Sequence, residues 1–154
     1  MSSGYRWIMI DIRIQSNEFD FGQEVKNFQN NKIDGAVVCF LGSVRDLEPK
    51  ETLEKLEIEY YPKMAKKVLN ETAKKAFKKW NLSQCLIIHR FGELEVNEPI
   101  VLVITQTKHR KDAFKANEYI IDFLKINAPF WKKEHSPKGA KWVKQNKRDL
   151  EINF

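Results

Sequence analysis

Apolar and polar residues alternate through Ile8, Ile10, Ile12 and Ile14, which predicts a strand over Tyr5 to Ile14 with the isoleucines on one face. Ser16 to Asn31 reads as a short helix, with Asp20 as its N-cap and Val25 and Phe28 as its apolar members. The Asp34-Gly35 turn leads into AVVCFLGSVR, a continuous apolar run expected to be a strand buried on both faces, with Arg45 at its exit after Gly42. A charged, proline-containing loop from Asp46 to Thr52 follows. LEKLEIEYY then alternates again, with Leu53, Leu56, Ile58 and Tyr60 as the apolar set of a third strand.

Pro62 opens the clearest helix of the chain. Met64, Ala65, Val68, Leu69, Thr72, Ala73, Ala76, Phe77 and Trp80 form one stripe, lysines occupy the other side, and Asn81 ends it. Strands are predicted at Gln84 to His89 and Pro99 to Thr107, joined by FGELEVNE, whose Gly92 and Asn97 suit turns. A second long helix runs from about Lys111 to Asn127, and one or two short extended pieces follow Pro129. Several strand connections are too short to be helical crossovers, so the class is α+β with a mixed or antiparallel sheet. Without repeats or low-complexity segments, residues 1–154 are expected to form a single domain.

Composition narrows the class. An apolar fraction of 42% and a charged fraction of 31% belong to an ordinary globular protein rather than a disordered one. The longest apolar run, around Ile100 to Ile104, is strand-sized, so no membrane role is expected. Asp11 and Arg13 inside the first apolar stretch argue against a secretory leader, and the expected location is cytoplasmic. Cys39 and Cys85 lack C-x-x-C or histidine at metal spacing and read as small buried hydrophobes, with no metal implied.

Charge adds a location. Before Lys108, 15 Lys and Arg balance 15 Asp and Glu, whereas Lys108 to Arg148 holds 12 cationic residues against Asp112, Glu118, Asp122 and Glu134. The net charge of +6 is therefore confined to one region, which suits a phosphate or carboxylate partner, or else a solvated basic face. Its centre is Tyr119 to Val143. Ile120, Ile121, Phe123 and Leu124 bury one side of the helix and hold Lys125 on a rigid element. Pro129 then forces a turn, and Phe130 and Trp131 root Lys132 and Lys133.

Taken alone, each candidate has a plain reading. Lys125 belongs to a polar stripe with Lys111, Lys115, Glu118 and Asp122, as on a solvated helix face. Arg45 suits a surface pair with Asp46 or Glu48. His109 and Arg110 stand where a strand passes into a helix; cations there oppose the helix dipole, which makes them odd as decoration, while backbone N–H groups favour an anion. His89, within a strand, reads as structural.

GAVVCFLGSVRD, LEIEYYPKMA, IIHRFGELEVNE, TKHRKDAFKANEYIIDFLK and APFWKKE, in this order and spacing, resemble the large, catalytic subunit of molybdopterin synthase. The resemblance covers roughly Gly35 to Val143; residues 1–34 match weakly, and residues 144–154 form a C-terminal tail. It implies an α/β hammerhead-type α+β fold with two main helices. The implied reaction converts cyclic pyranopterin monophosphate into molybdopterin, with no cofactor. Its two sulfurs come from the C-terminal thiocarboxylate of a small ubiquitin-like subunit, two of which bind a central homodimer to make a heterotetramer. Both guests are anionic, in keeping with the cationic region.

By that resemblance Lys125 and Lys132 are the catalytic pair, suited to proton transfer or covalent capture. Ser43, Val44, Arg45, His109, Arg110, Lys133 and Glu134 join them in binding substrate, Arg45 as a phosphate clamp. Phe130 and Trp131 shape the wall and the channel for the partner's tail. Two departures stand out: Ser43 occupies a position where relatives often carry lysine, and the loop DLEPKET lacks the expected asparagine and glycine. Two readings compete. A small basic nucleic-acid module would stack bases on Phe130, Trp131 and Trp142. A purely structural partner of a ubiquitin-like protein would lose nothing when Lys125 is removed.

Overall fold

The computed structural model describes residues 9–28, 33–47, 52–127 and 129–144. Two four-stranded sheets organise them. The first is mixed, in the order β1 (Met9–Gln15), β4 (Gln84–Arg90), β6 (Pro99–Thr107), β2 (Ala36–Ser43); β1 runs parallel to β4 and the other pairs are antiparallel. The second is antiparallel throughout, in the order β5 (Gly92–Leu94), β3 (Lys55–Tyr60), β7 (Phe130–Ser136), β8 (Gly139–Trp142). Among the described residues no helix is long and apolar enough to cross a membrane.

Helices α2 (Pro62–Lys79) and α3 (Arg110–Asn127) cover one face of the first sheet. Leu69, Ala73 and Ala76 of α2 and Ala116, Tyr119 and Ile120 of α3 meet Cys85, Ile87 and Val103, as the apolar stripes predict. The short α1 (Phe21–Asn27) lies by the other face, where Phe28 packs with Leu86, Ile88, Leu102 and Ile104. Asp20 caps it as expected, its carboxylate accepting from the Gln23 amide at 3.0 Å. Residues 1–8, 29–32, 48–51, 128 and 145–154 lie outside the description, and with them Ile8, the end of the helix expected to reach Asn31, most of the 46–52 loop and the tail.

Three expectations change. The single sheet becomes two, because β3 pairs with β7, 70 to 80 residues away along the chain, rather than with β2 or β4. FGELEVNE is not only a connection: Gly92–Leu94 forms β5 against β3. The apolar run of β2 is not buried on both faces. β2 is an edge strand, and Val37 and Leu41 remain 36% and 41% exposed.

Candidate active site

The register of β2 against β6 gives the candidate residues their addresses. Ala36 lies opposite Thr107 and Ser43 opposite Pro99, so Arg45 leaves β2 at the end of the sheet where β6 begins, and His109 follows β6 at the other end. Those ends are separated by seven strand residues, roughly 23 Å.

Helix α3 returns along this pair. The Thr105 hydroxyl donates to the Ala113 carbonyl at 2.8 Å, and Asn117 Nδ2 donates to the carbonyls of Val38 and Val103, each at 3.0 Å. As helix numbers rise, β6 numbers fall. Lys125, in the last turn of α3, therefore comes back to the end of the sheet that holds Ser43 and Arg45.

Just beyond, Phe130 enters both the core beneath the helices and the core beneath the second sheet, fixing the start of β7. Lys132 sits opposite Ile58 and shares a strand face with Phe130 and Glu134; Lys133 points to the other face. There its ammonium lies 5.3 Å from the centre of the Trp142 ring, a cation–π contact. The expected run Lys132-Lys133-Glu134 is thus divided by the sheet.

Other candidates differ in role from the expectation. The side chain of Val44 is 3% exposed and packs with Leu53, Leu56, Ile58 and Leu94, so it anchors the segment. Its backbone is tied at both ends, the Val44 amide donating to Glu98 O at 2.9 Å and the Asn97 amide to Val44 O at 2.8 Å. On either side, Ser43 and Arg45 are exposed. The Asp46 carboxylate does not pair with Arg45: one oxygen accepts from the amides of Leu47 and Leu53, both at 2.8 Å, which holds that carboxyl below its usual range. Among the described residues no carboxylate pairs with Arg45.

At the far end His109 and Arg110 are exposed at the start of α3, where the first-turn amides of an 18-residue helix add positive potential. The Thr107 hydroxyl donates to His109 O at 2.5 Å and shapes that corner. One chain therefore gathers Ser43, Arg45, Lys125, Lys132 and Glu134 toward one end, and His109 with Arg110 toward the other. The length of α3, about 27 Å for 18 residues, sets the separation between the two groups within one chain. Phe130 faces His89 and Tyr60, which withdraws it from base stacking, while Trp131 and Trp142 remain exposed on the outer face of the second sheet. Among the described residues no group of three His, Cys, Asp or Glu side chains is placed to hold a metal ion.

Fold and charge together describe an α+β protein that carries cationic side chains at both ends of one helix. A family model described as MoaE protein matches residues 14–127, and the chain belongs to that family. It is 42% identical over 139 residues to a protein of Cereibacter sphaeroides named molybdopterin synthase catalytic subunit, covering 90% of this chain and 94% of the relative. The solved MoaE protein of molybdopterin biosynthesis from Burkholderia ambifaria superposes with a TM-score of 0.77 at 41% identity, covering 92% of this chain and 96% of that one. Molybdopterin synthase from Staphylococcus aureus gives 0.78 at 37% identity, covering 86% and 96%.

Proposed function

We propose that this chain is the catalytic subunit of a molybdopterin synthase. It converts cyclic pyranopterin monophosphate to molybdopterin with sulfur carried on the C-terminal thiocarboxylate of a small ubiquitin-like subunit. The observation that carries the reading is the convergence of Arg45, Lys125 and Lys132 on one end of the fold, each on a rooted element, in a chain of this family. Arg45 suits a phosphate by its planar fork, while the two lysines supply charge stabilisation and proton transfer as the cyclic phosphate opens and sulfur adds. Relatives named as a catalytic subunit support a separate sulfur-carrying partner.

His109 and Arg110 complete the site from a second copy of the chain. A two-fold axis crossing α3 near its middle exchanges the helix ends and brings one copy's Arg110 to the other's Lys125. At 100° per residue Arg110, Phe114, Ile121 and Lys125 lie on one flank of α3, away from the side where Tyr119 meets Trp80 of the α2 C-cap at 5.4 Å. Phe114 is 60% exposed there, which supports an apolar contribution to a dimer contact through this flank of α3. The central dimer then carries two small subunits.

On this reading residues 1–154 serve one catalytic unit in the cytoplasm, where the unpaired thiols of Cys39 and Cys85 are at home. The test is single-turnover conversion of cyclic pyranopterin monophosphate by Lys125→Ala with the thiocarboxylated small subunit. Loss of dithiolene formation with fold and subunit binding intact is expected; normal product formation would refute the role.

A further inference from the structure

His89 is the last but one residue of β4, on its helix-facing side in line with Cys85 and Ile87, and is 5% exposed. Its ring lies nearly parallel to that of Phe130, with centroids 3.7 Å apart and 13° between the planes. Phe130 is held from the other direction by Tyr60 at 5.8 Å.

The imidazole has a defined tautomer. Its Nδ1 is 2.8 Å from the carbonyl oxygen of Arg90, and since a carbonyl only accepts, Nδ1 carries the hydrogen and donates it. In the neutral ring Nε2 is then a bare acceptor. Burial, followed by the positive charge of Lys132, lowers the imidazole to about 3, so the ring is neutral throughout the working range. Lys132 follows Phe130 by two residues on the same face of β7 and so springs from the side of the strand that His89 clamps.

An imidazole costs more to bury than a phenyl ring of similar shape unless its nitrogens have work. A carboxylate at this point would lock the lysine into an ion pair, and an aliphatic side chain would leave its head unguided. We propose that His89 is a positioning residue for Lys132: its stack on Phe130 fixes the root of the lysine, and its Nε2 lone pair offers the ammonium an uncharged acceptor. The inference rests on the reading of Lys132 as part of the reaction site.

The test compares His89→Phe, His89→Gln and Lys132→Ala in the complete synthase, measuring kcat, KM and Tm. His89→Phe keeps an aromatic stack without the acceptor; it is expected to hold Tm and KM while kcat falls about tenfold, the scale of effect for a misplaced reacting group. His89→Gln restores an acceptor and is expected to recover part of that loss despite a lower Tm. A role in packing alone would move Tm and leave kcat per folded enzyme unchanged. Wild-type kcat in His89→Phe alongside a slow Lys132→Ala overturns the positioning role and leaves the site intact. Wild-type kcat in Lys132→Ala overturns the reading of the site itself. Should His89→Phe fail to fold, His89→Gln decides: kcat near wild type supports the acceptor, and kcat as low as that of Lys132→Ala overturns it.

Discussion

Arg110 and Lys125 stand in the first and last turns of one helix, roughly 22 Å apart along its axis. A substrate phosphate spans a small fraction of that length, so the two side chains cannot serve one phosphate from one chain. The helix is tied to the sheet by the contacts of Thr105 and Asn117, and no side-chain reach closes the gap. In the dimer proposed above, a two-fold axis would close it, because the same operation that brings Arg110 to Lys125 also brings Lys125 to Arg110.

Asn117 should be the residue whose loss loosens that geometry. It is 3% exposed, and its amide nitrogen ties α3 to both β2 and β6. Asn117→Leu removes these bonds at nearly constant volume and is expected to cost about 2–3 kcal/mol. Urea unfolding at unchanged m-value measures it. A loss below about 0.5 kcal/mol, the scale of an ordinary surface change, would mean that apolar packing alone seats the helix.

Gly42 should be intolerant for a steric reason. A Cβ there would lie 2.7 Å from Val101 Cγ1 and 3.2 Å from Phe40 Cε1, in the core just before the Ser43-Arg45 exit. Gly42→Ala is expected to destabilise the fold by about 1–3 kcal/mol, as overpacked sites do, and to raise KM for the pterin substrate as Arg45 shifts. Unchanged Tm and KM would show that the strand end yields without cost.

Stability should fall with acid through His89. The unfolded imidazole titrates near 6.5 and the folded one near 3, so between these values the unfolded chain binds a proton that the folded chain does not. The contribution of the neutral ring is fully present above 6.5 and declines as pH falls toward 3, by at most about 1.4 kcal/mol per pH unit. Denaturation at pH 7.5 and pH 5.0 should differ by about 2 kcal/mol more in the wild type than in His89→Phe. An identical pH dependence in the two proteins would place the titrating group elsewhere.

Much of the scaffold was legible because it rests on local rules. The stripes of α2 and α3, the Asp20 cap, the alternation of β1 and the Pro129 break each follow from spacing within one element. What escaped depends on partners remote in sequence. β5 has three residues, too few to show a period, and is a strand only because Leu56 to Ile58 lies beside it. The apolar run of β2 resembles a central strand, yet its exposed Val37 and Leu41 sit on an edge. The division of Lys132 from Lys133 follows from the two-residue period of any strand, but was hidden by reading the basic block as a patch. The separation of His109 and Arg110 from Lys125 needed only the helix length and the direction of its return.

The most direct measurement mixes two inactive proteins. Arg110→Ala and Lys125→Ala are each expected to be inactive as homodimers. Co-refolded in equal amounts with the small subunit, they form mixed dimers in which one site takes intact Lys125 from one chain and intact Arg110 from the other. About a quarter of wild-type sulfur transfer should then return, since half the dimers are mixed and each has one complete site. Sites built within single chains predict no recovery at all, and that result would contradict the account.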